Sequence, residues 1–298
     1  MFRTLLLPAL TVAGLFLSVA PAHADPVGAA PVRAAAAAAP LPVVDMGALT
    51  TAAQVEGYRG NQIGIGDDAS TKLVQRALTA KGYSVPASGL FGRSTTAAYI
   101  KYQKSLGYKS IDANGMPGPT SLAKLGQGRF RVVNVVQVGS RNDRYSTKRV
   151  NTRTRQMIAA ADATLPWTIP VSQGSYCLGK KSCAAASAGT HDGGGAIDVR
   201  VSGLTTAQRW QTVRALRAVG FAAWLRTRSQ CTCWSDHIHA VSIGDTDMWQ
   251  ANGKYNNRDQ VADYYVGRNG LSGHAADNTP AVYRVPFTTW ERVRPTLR

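Results

Sequence analysis

The chain has 298 residues, of which 44% are hydrophobic and 17% charged, and its formal net charge is +17. Such a balance excludes a disordered polyelectrolyte and leaves room for one large domain or two smaller ones. The excess of Lys and Arg favours contact with polyanions, whether nucleic acid, anionic lipid or acidic wall polymers, and says nothing about fold.

Residues 1–24 have the build of a secretory signal peptide. Arg3 gives the positive start, LLLPALTVAGLFLSVA the apolar core, and Ala22-His23-Ala24 a small-residue cleavage site before Asp25. The apolar run is short and contains Pro8, which argues against an uncleaved anchor. No later segment is long or apolar enough to span a bilayer, so the expectation is a secreted, extracellular protein. Cleavage removes only Arg3 among the charged residues, leaving about +16. Export makes nucleic acid an unexpected partner. It also favours two disulfides among Cys177, Cys183, Cys231 and Cys233, with three connectivities open. The Cys-x5-Cys and Cys-x-Cys spacings match structural zinc sites poorly.

Residues 25–60 are expected to be an Ala/Pro-rich linker, because PVGAAPVRAAAAAAPLP holds almost no large apolar side chain. Residues 61–127 change character. In STKLVQRALTAKGY, Ser70 is a candidate N-cap, Leu73, Val74, Ala77 and Leu78 recur at helical spacing, and Gly82 is a stop. STTAAYIKYQKSLGY repeats the plan, with Ala97, Ile100, Gln103 and Leu106 near one face. PTSLAKLG is a third, shorter helix with Pro119 at its start. GLFGRSTT and GMPGPTSL are both Gly-x-x-Gly turns feeding a helix, a weak internal repeat. This segment resembles the peptidoglycan-binding domain family, a small three-helix bundle. The resemblance is carried by Leu73, Gln75, Leu78, Gly82, Tyr83, Gly89, Phe91, Gly92, Thr95, Ala98, Gln103, Gly115, Gly118, Pro119 and Leu122. It implies a non-catalytic anchor for peptidoglycan.

Residues 130–298 mix helix and strand patterns, which predicts an α+β domain. FRVVNVVQV is β-branched. NTRTRQMIAAADATL is a helix opened by Asn151 or Thr152, and TTAQRWQTVRALRAVG another, closed by Gly220. AIDVRV and HIHAVSI alternate as strands. In the first, Ala196, Asp198 and Arg200 share one face and Ile197, Val199 and Val201 the apolar one. In the second, His237 and His239 share a face. If the two strands are neighbours, His239 and Asp198 converge with His191, which lies across a Gly-Gly-Gly run from Asp198. Two histidines and a carboxylate suit a catalytic zinc, since a fourth position stays open for water. His237, two residues before His239, is the favoured base, with Asp236 the second candidate. The glycines are expected to let the loop fold tightly around the ion.

SAGTHDGGGAID followed by HIH resembles the LAS metallopeptidases, the M15 D-alanyl-D-alanine carboxypeptidase group related to the hedgehog amino-terminal domain. Their signature, His-x-x-Gly-x-Ala-x-Asp and a later His-x-His, is met by His191, Gly194, Ala196 and Asp198, then His237 and His239. The resemblance covers residues 150–245 and implies a hedgehog/DD-peptidase-like zinc domain. Its zinc ligands would be His191, Asp198 and His239, with His237 in the active site. The upstream arginine that binds substrate carboxylate in the family is missing from VSQGSYC, where Gln173, Ser175 or Tyr176 would contact substrate instead. A cross-link between Cys177/Cys183 and Cys231/Cys233 would brace both ligand segments. The expectation is a secreted, cell-wall-associated zinc peptidase cutting amide bonds in peptidoglycan stem peptides or cross-links. The alternative is a cell-wall-binding protein with a non-catalytic LAS-like domain.

Overall fold

The linker expected over residues 25–60 ends earlier than its composition suggests. In the computed structural model, which describes residues 39–56, 64–66, 68–177, 189–249 and 256–296, Val43–Asp45 form strand β1 and Met46–Val55 helix α1. The leader, the alanine run and Cys183 lie outside the described residues. Helix α1 starts where it does because the Asp45 carboxylate accepts from the Ala48 N–H at 3.0 Å. It holds because Met46, Leu49, Ala52, Ala53 and Val55 are buried. Those side chains give residues 43–56 the apolar surface that the preceding alanines lack.

Helices α2 (Asp68–Ala80), α3 (Arg93–Ser105) and α4 (Pro119–Gly126) follow. Pro119 stands in the first turn of α4, where its missing N–H costs nothing. Ser70 is inside α2 rather than capping it, and its hydroxyl accepts from the Asp45 N–H at 3.1 Å. The buried face of α3 is Ala98, Tyr99, Tyr102 and Gln103, one position round from the face that Ala97 and Ile100 suggested. Gln75 and Gln103 play matching parts: each carbonyl oxygen accepts from the glycine N–H of a Gly-x-x-Gly turn, Gly89 at 3.0 Å and Gly115 at 2.8 Å. Strand β2 (Arg131–Val133) returns parallel to β1.

The rest is mixed helix and strand. After the hairpin β3 (Asp143–Tyr145) and β4 (Lys148–Val150) comes α5 (Thr152–Asp162), capped by the Asn151 side chain on the Thr154 N–H at 2.7 Å. Strands β5 (Val171–Gln173), β6 (Ala196–Arg200), β7 (Phe221–Arg226) and β8 (His237–Ser242) make an antiparallel sheet in the order β5-β6-β8-β7. Helix α6 (Thr206–Ala218) opens with a Thr205/Gln208 capping box. Alternation sorts the sheet. Ile197, Val199, Leu225, Ile238 and Ala240 bury against α5 and α6, so Asp198, Trp224 and His239 point the other way. On that second face, Trp224 and Val241 pack with α7 (Asn257–Tyr265), and α8 (Trp290–Val293) closes the chain.

Residues Pro40–Arg298 gather into one compact unit. Met248 sits in the core of the helical bundle, and Val55 of α1 sits among Trp224, Val241 and Val261. The Asn114 amide donates to the carbonyls of Thr246 and Met248, at 2.8 and 2.9 Å. Gln54 bridges Ser242 and Gly244.

Candidate metal centre

Strand register assembles the site. Asp198 of β6 pairs with His239 of β8, which pairs with Trp224 of β7; two residues along, Arg200, His237 and Arg226 form the next row on the same face. His191 comes from the turn before β6, and its ring is 1% exposed. The three sequence-predicted ligands meet: one ligand atom from each of His191, Asp198 and His239 lies within 4.8 Å of the others.

The hydrogen bonds around the rings decide which nitrogens face the centre. His191 Nδ1 stands 2.7 Å from the Gly174 carbonyl, and His239 Nε2 stands 2.9 Å from Gln260 Oε1. The Gly174 carbonyl can only accept, and the Gln260 amide is turned with its oxygen to the ring, so in this arrangement each of these nitrogens carries its ring's N–H. His191 Nε2 and His239 Nδ1 then turn lone pairs toward one carboxylate oxygen, Asp198 Oδ1, at 3.3 and 2.8 Å. Protons alone would satisfy three such atoms only with both rings charged. Burial pulls both rings down. For His191 the Asp198 carboxylate and the Gly174 carbonyl outweigh it and leave the ring raised, whereas His239 stays lowered. Asp198 is held well below the usual carboxylate range, because the two histidines outweigh the cost of its burial. Convergent lone pairs, an ionised carboxylate and one ring that resists protonation are the donor set of a cation site. Ligand atoms about 2.0–2.1 Å from a tetrahedral metal lie roughly 3.3 Å apart; His191 Nε2 stands at that distance from Asp198 Oδ1, and His239 Nδ1 is nearer, at 2.8 Å.

The group opens on a cavity of about 570 Å³, whose wall includes Gln173, Arg200, Asp236 and His237. His237 Nδ1 donates to the Ser235 carbonyl at 2.7 Å, which leaves Nε2 as the bare nitrogen, 3.8 Å from Asp198 Oδ1. Asp236 is engaged elsewhere, with the Arg228 N–H at 3.0 Å and the Arg209 guanidinium at 3.4 Å. Of the three residues expected to touch substrate, only Gln173 reaches the cavity; it pairs with Asp198 across β5 and β6. Ser175 is buried and donates to the Ala196 carbonyl at 2.6 Å, fixing the start of β6. Tyr176 lies under the glycine run, its hydroxyl donating to Asp247 at 2.7 Å. Both serve the loop that carries His191 rather than the cavity.

The glycine run gives the tight loop expected of it, with Gly195 at a φ of +84° and backbone close against Gly193. A Cβ on Gly193 would stand 2.2 Å from the Trp249 nitrogen, one on Gly194 would stand 2.7 Å from the Tyr176 hydroxyl, and one on Gly195 would meet Asp245 at 2.9 Å. The glycines make room for the segment Asp245–Trp249, not for an ion. The expected cross-link is also corrected. Cys231 bonds to Cys233, within its own pair, beside the cavity; Cys177 is in a disulfide, and Cys183 lies outside the described residues.

Gln260 and the Gly174 carbonyl had no signal in the sequence. Arg200 and Arg226 did, since strand alternation puts both on the face of His237. No family model matches the chain, and no curated protein matches it.

Proposed function

We propose that the chain is an exported zinc peptidase that hydrolyses amide bonds in peptidoglycan stem peptides or cross-links. In this reading the helical bundle is a peptidoglycan-binding module, and the sheet with its helices is a hedgehog/DD-peptidase-like domain of the LAS type. The observation that carries it is the His191–Asp198–His239 group opening on a cavity with His237 at its side. Zinc held by these three groups would leave a position for water, acidify that water and polarise a scissile carbonyl.

The chain's own residues suit the remaining tasks. His237 offers its bare Nε2 to the cavity and accepts a proton from the attacking water, then returns it to the leaving amine. Holding Nδ1–H on the Ser235 carbonyl makes Nε2 the nitrogen that takes up and returns the proton. Gln173 Nε2 is buried with no hydrogen-bond partner. A buried amide N–H without an acceptor is costly, and Gln173 stands in the cavity wall, where a turn of its side chain brings that N–H to a substrate carbonyl. The positive charge of the chain favours contact with anionic wall polymers.

The test is incubation of the mature protein with peptidoglycan, followed by mass analysis of the muropeptides. A shortened stem or an opened cross-link, lost in His239→Ala, supports the peptidase. Zinc-loaded protein that yields no peptide product refutes it and leaves a wall-binding protein.

A further inference from the structure

Helix α7 lies outside both sequence motifs, yet it touches both segments that carry the histidine ligands. The Gln260 side chain, 6% exposed, meets His239 Nε2 at 2.9 Å. Three residues earlier, the fully buried Asn257 donates to the Thr190 carbonyl at 2.8 Å, directly before His191. Between them Arg258 reaches the other way, to the Ala53 carbonyl of α1 and to the Thr96 hydroxyl of α3 at 3.0 Å. The helix is therefore clamped between the bundle and the metal centre.

An imidazole has two tautomers, and whatever the second nitrogen bonds to selects between them. An acceptor at Nε2 keeps the proton there and leaves Nδ1 bare. A donor at Nε2 would move the proton to Nδ1, where it would point at Asp198 Oδ1 and close the ring to a metal. We propose that Gln260 is a positioning residue of the metal centre, whose side-chain oxygen sets His239 in the tautomer that presents Nδ1 as a ligand. With its oxygen turned to Nε2, Gln260 does for His239 what the Gly174 carbonyl does for His191. The backbone carbonyl comes with the fold, whereas the side chain is open to substitution. The inference rests on the metal-centre reading above.

The test is zinc affinity of the full mature chain, by competition with a chromogenic chelator, with the unfolding temperature of the metal-free protein followed alongside. Gln260→Leu removes the acceptor and should weaken zinc by roughly 10–100-fold, the usual effect of losing such a partner, in protein whose metal-free unfolding transition shows it still folded. Gln260→Glu keeps an acceptor and should stay within a few-fold of the wild type. A leucine variant that binds zinc as tightly as wild type overturns the proposal, and so does a glutamate variant as weak as the leucine one. A second measurement needs no variant: long-range ¹⁵N correlation spectra of the metal-free protein at neutral pH should show His239 as the Nε2–H tautomer. The Nδ1–H form would overturn the proposal by itself. Wild-type protein that takes up no zinc removes the metal-centre reading as well, an outcome distinct from a variant that merely matches wild type.

Discussion

Gly193→Ala puts the packing role of the glycine run to a quantitative test. The new methyl would stand 2.2 Å from the Trp249 nitrogen, 2.4 Å from the Asp247 oxygen and 2.7 Å from the Met248 carbonyl carbon. All three atoms are backbone, so no rotamer change relieves the overlap. Nor is the facing segment loose. The Asp247 carbonyl accepts from Gly194 at 2.9 Å, the Asp245 carboxylate accepts from the Asp247 N–H at 2.8 Å, and Met248 is buried in the bundle core. Overpacking of a tight site costs about 1–3 kcal/mol, and displacement of backbone on both sides places this substitution at the upper end. Gly203→Ala is the control. Its φ of +86° strains any side chain, but nothing lies within 4 Å, so only the left-handed penalty of roughly 1–2 kcal/mol applies. Urea unfolding of the metal-free proteins should show the lower midpoint for Gly193→Ala with an unchanged slope, and a thermal midpoint depressed by roughly 6–12 °C. Zinc affinity should fall with it, because His191 is two residues away in the same loop. Equal stability of the two variants would refute the packing argument.

Asp245→Asn tests the carboxylates behind that loop. Burial, then the neighbouring Asp247, push the Asp245 carboxyl up to about 6. A carboxyl raised in the folded state binds its proton more tightly there than in the unfolded chain. It therefore makes stability fall as pH rises from about 4 to 6, by at most about 3 kcal/mol. The variant should lack this slope, so unfolding temperatures of the two proteins converge or diverge across that window; a constant difference between them contradicts the shift. His237→Gln should lower turnover of a peptide substrate by about 10²–10⁴-fold while zinc stays bound at one per chain; loss of the metal would instead make His237 a ligand. A chain begun at residue 130 should unfold well below the full protein, because it exposes Met248 and Val55's partners and strips Asn114 from two buried carbonyls. Unchanged stability and zinc affinity would show the bundle to be a separable appendage.

Much of the site was legible because strand alternation and motif spacing are local properties. Period two placed His237 and His239 on one face of their strand and Asp198 on the non-core face of its own, and the register of β6 with β8 puts the three on one face of the sheet. The helices announced themselves through signals such as the Asn151 cap and the Gly220 stop. What escaped depends on contacts distant in sequence. Ser175 and Tyr176 sit in the expected stretch but turn away from the cavity, and only the position of Ala196 and Asp247 explains why. The glycines permit a tight loop in either account; what they make room for is set by a segment some fifty residues on. Composition misplaced the linker's end because half of α1 is alanine and threonine, and the helix is fixed instead by Asp45, Met46 and Leu49.

The segment Asp245–Trp249 explains why the bundle and the sheet fold as one unit. On one side it fills the space that Gly193, Gly194 and Gly195 leave, and so sets where His191 stands. On the other it gives Met248 to the bundle core and two carbonyls to Asn114, while Arg141 ties Asp247 to Asp112 at the foot of the bundle. Helix α7 makes the same connection a second time, from α1 and α3 through Arg258 to His239 through Gln260. Each histidine ligand thus has its own line of contacts to the bundle. A module attached only to bring an enzyme to its substrate needs neither. Two braces, the segment Asp245–Trp249 behind His191 and helix α7 against both histidine segments, make the bundle part of the framework around the candidate metal centre.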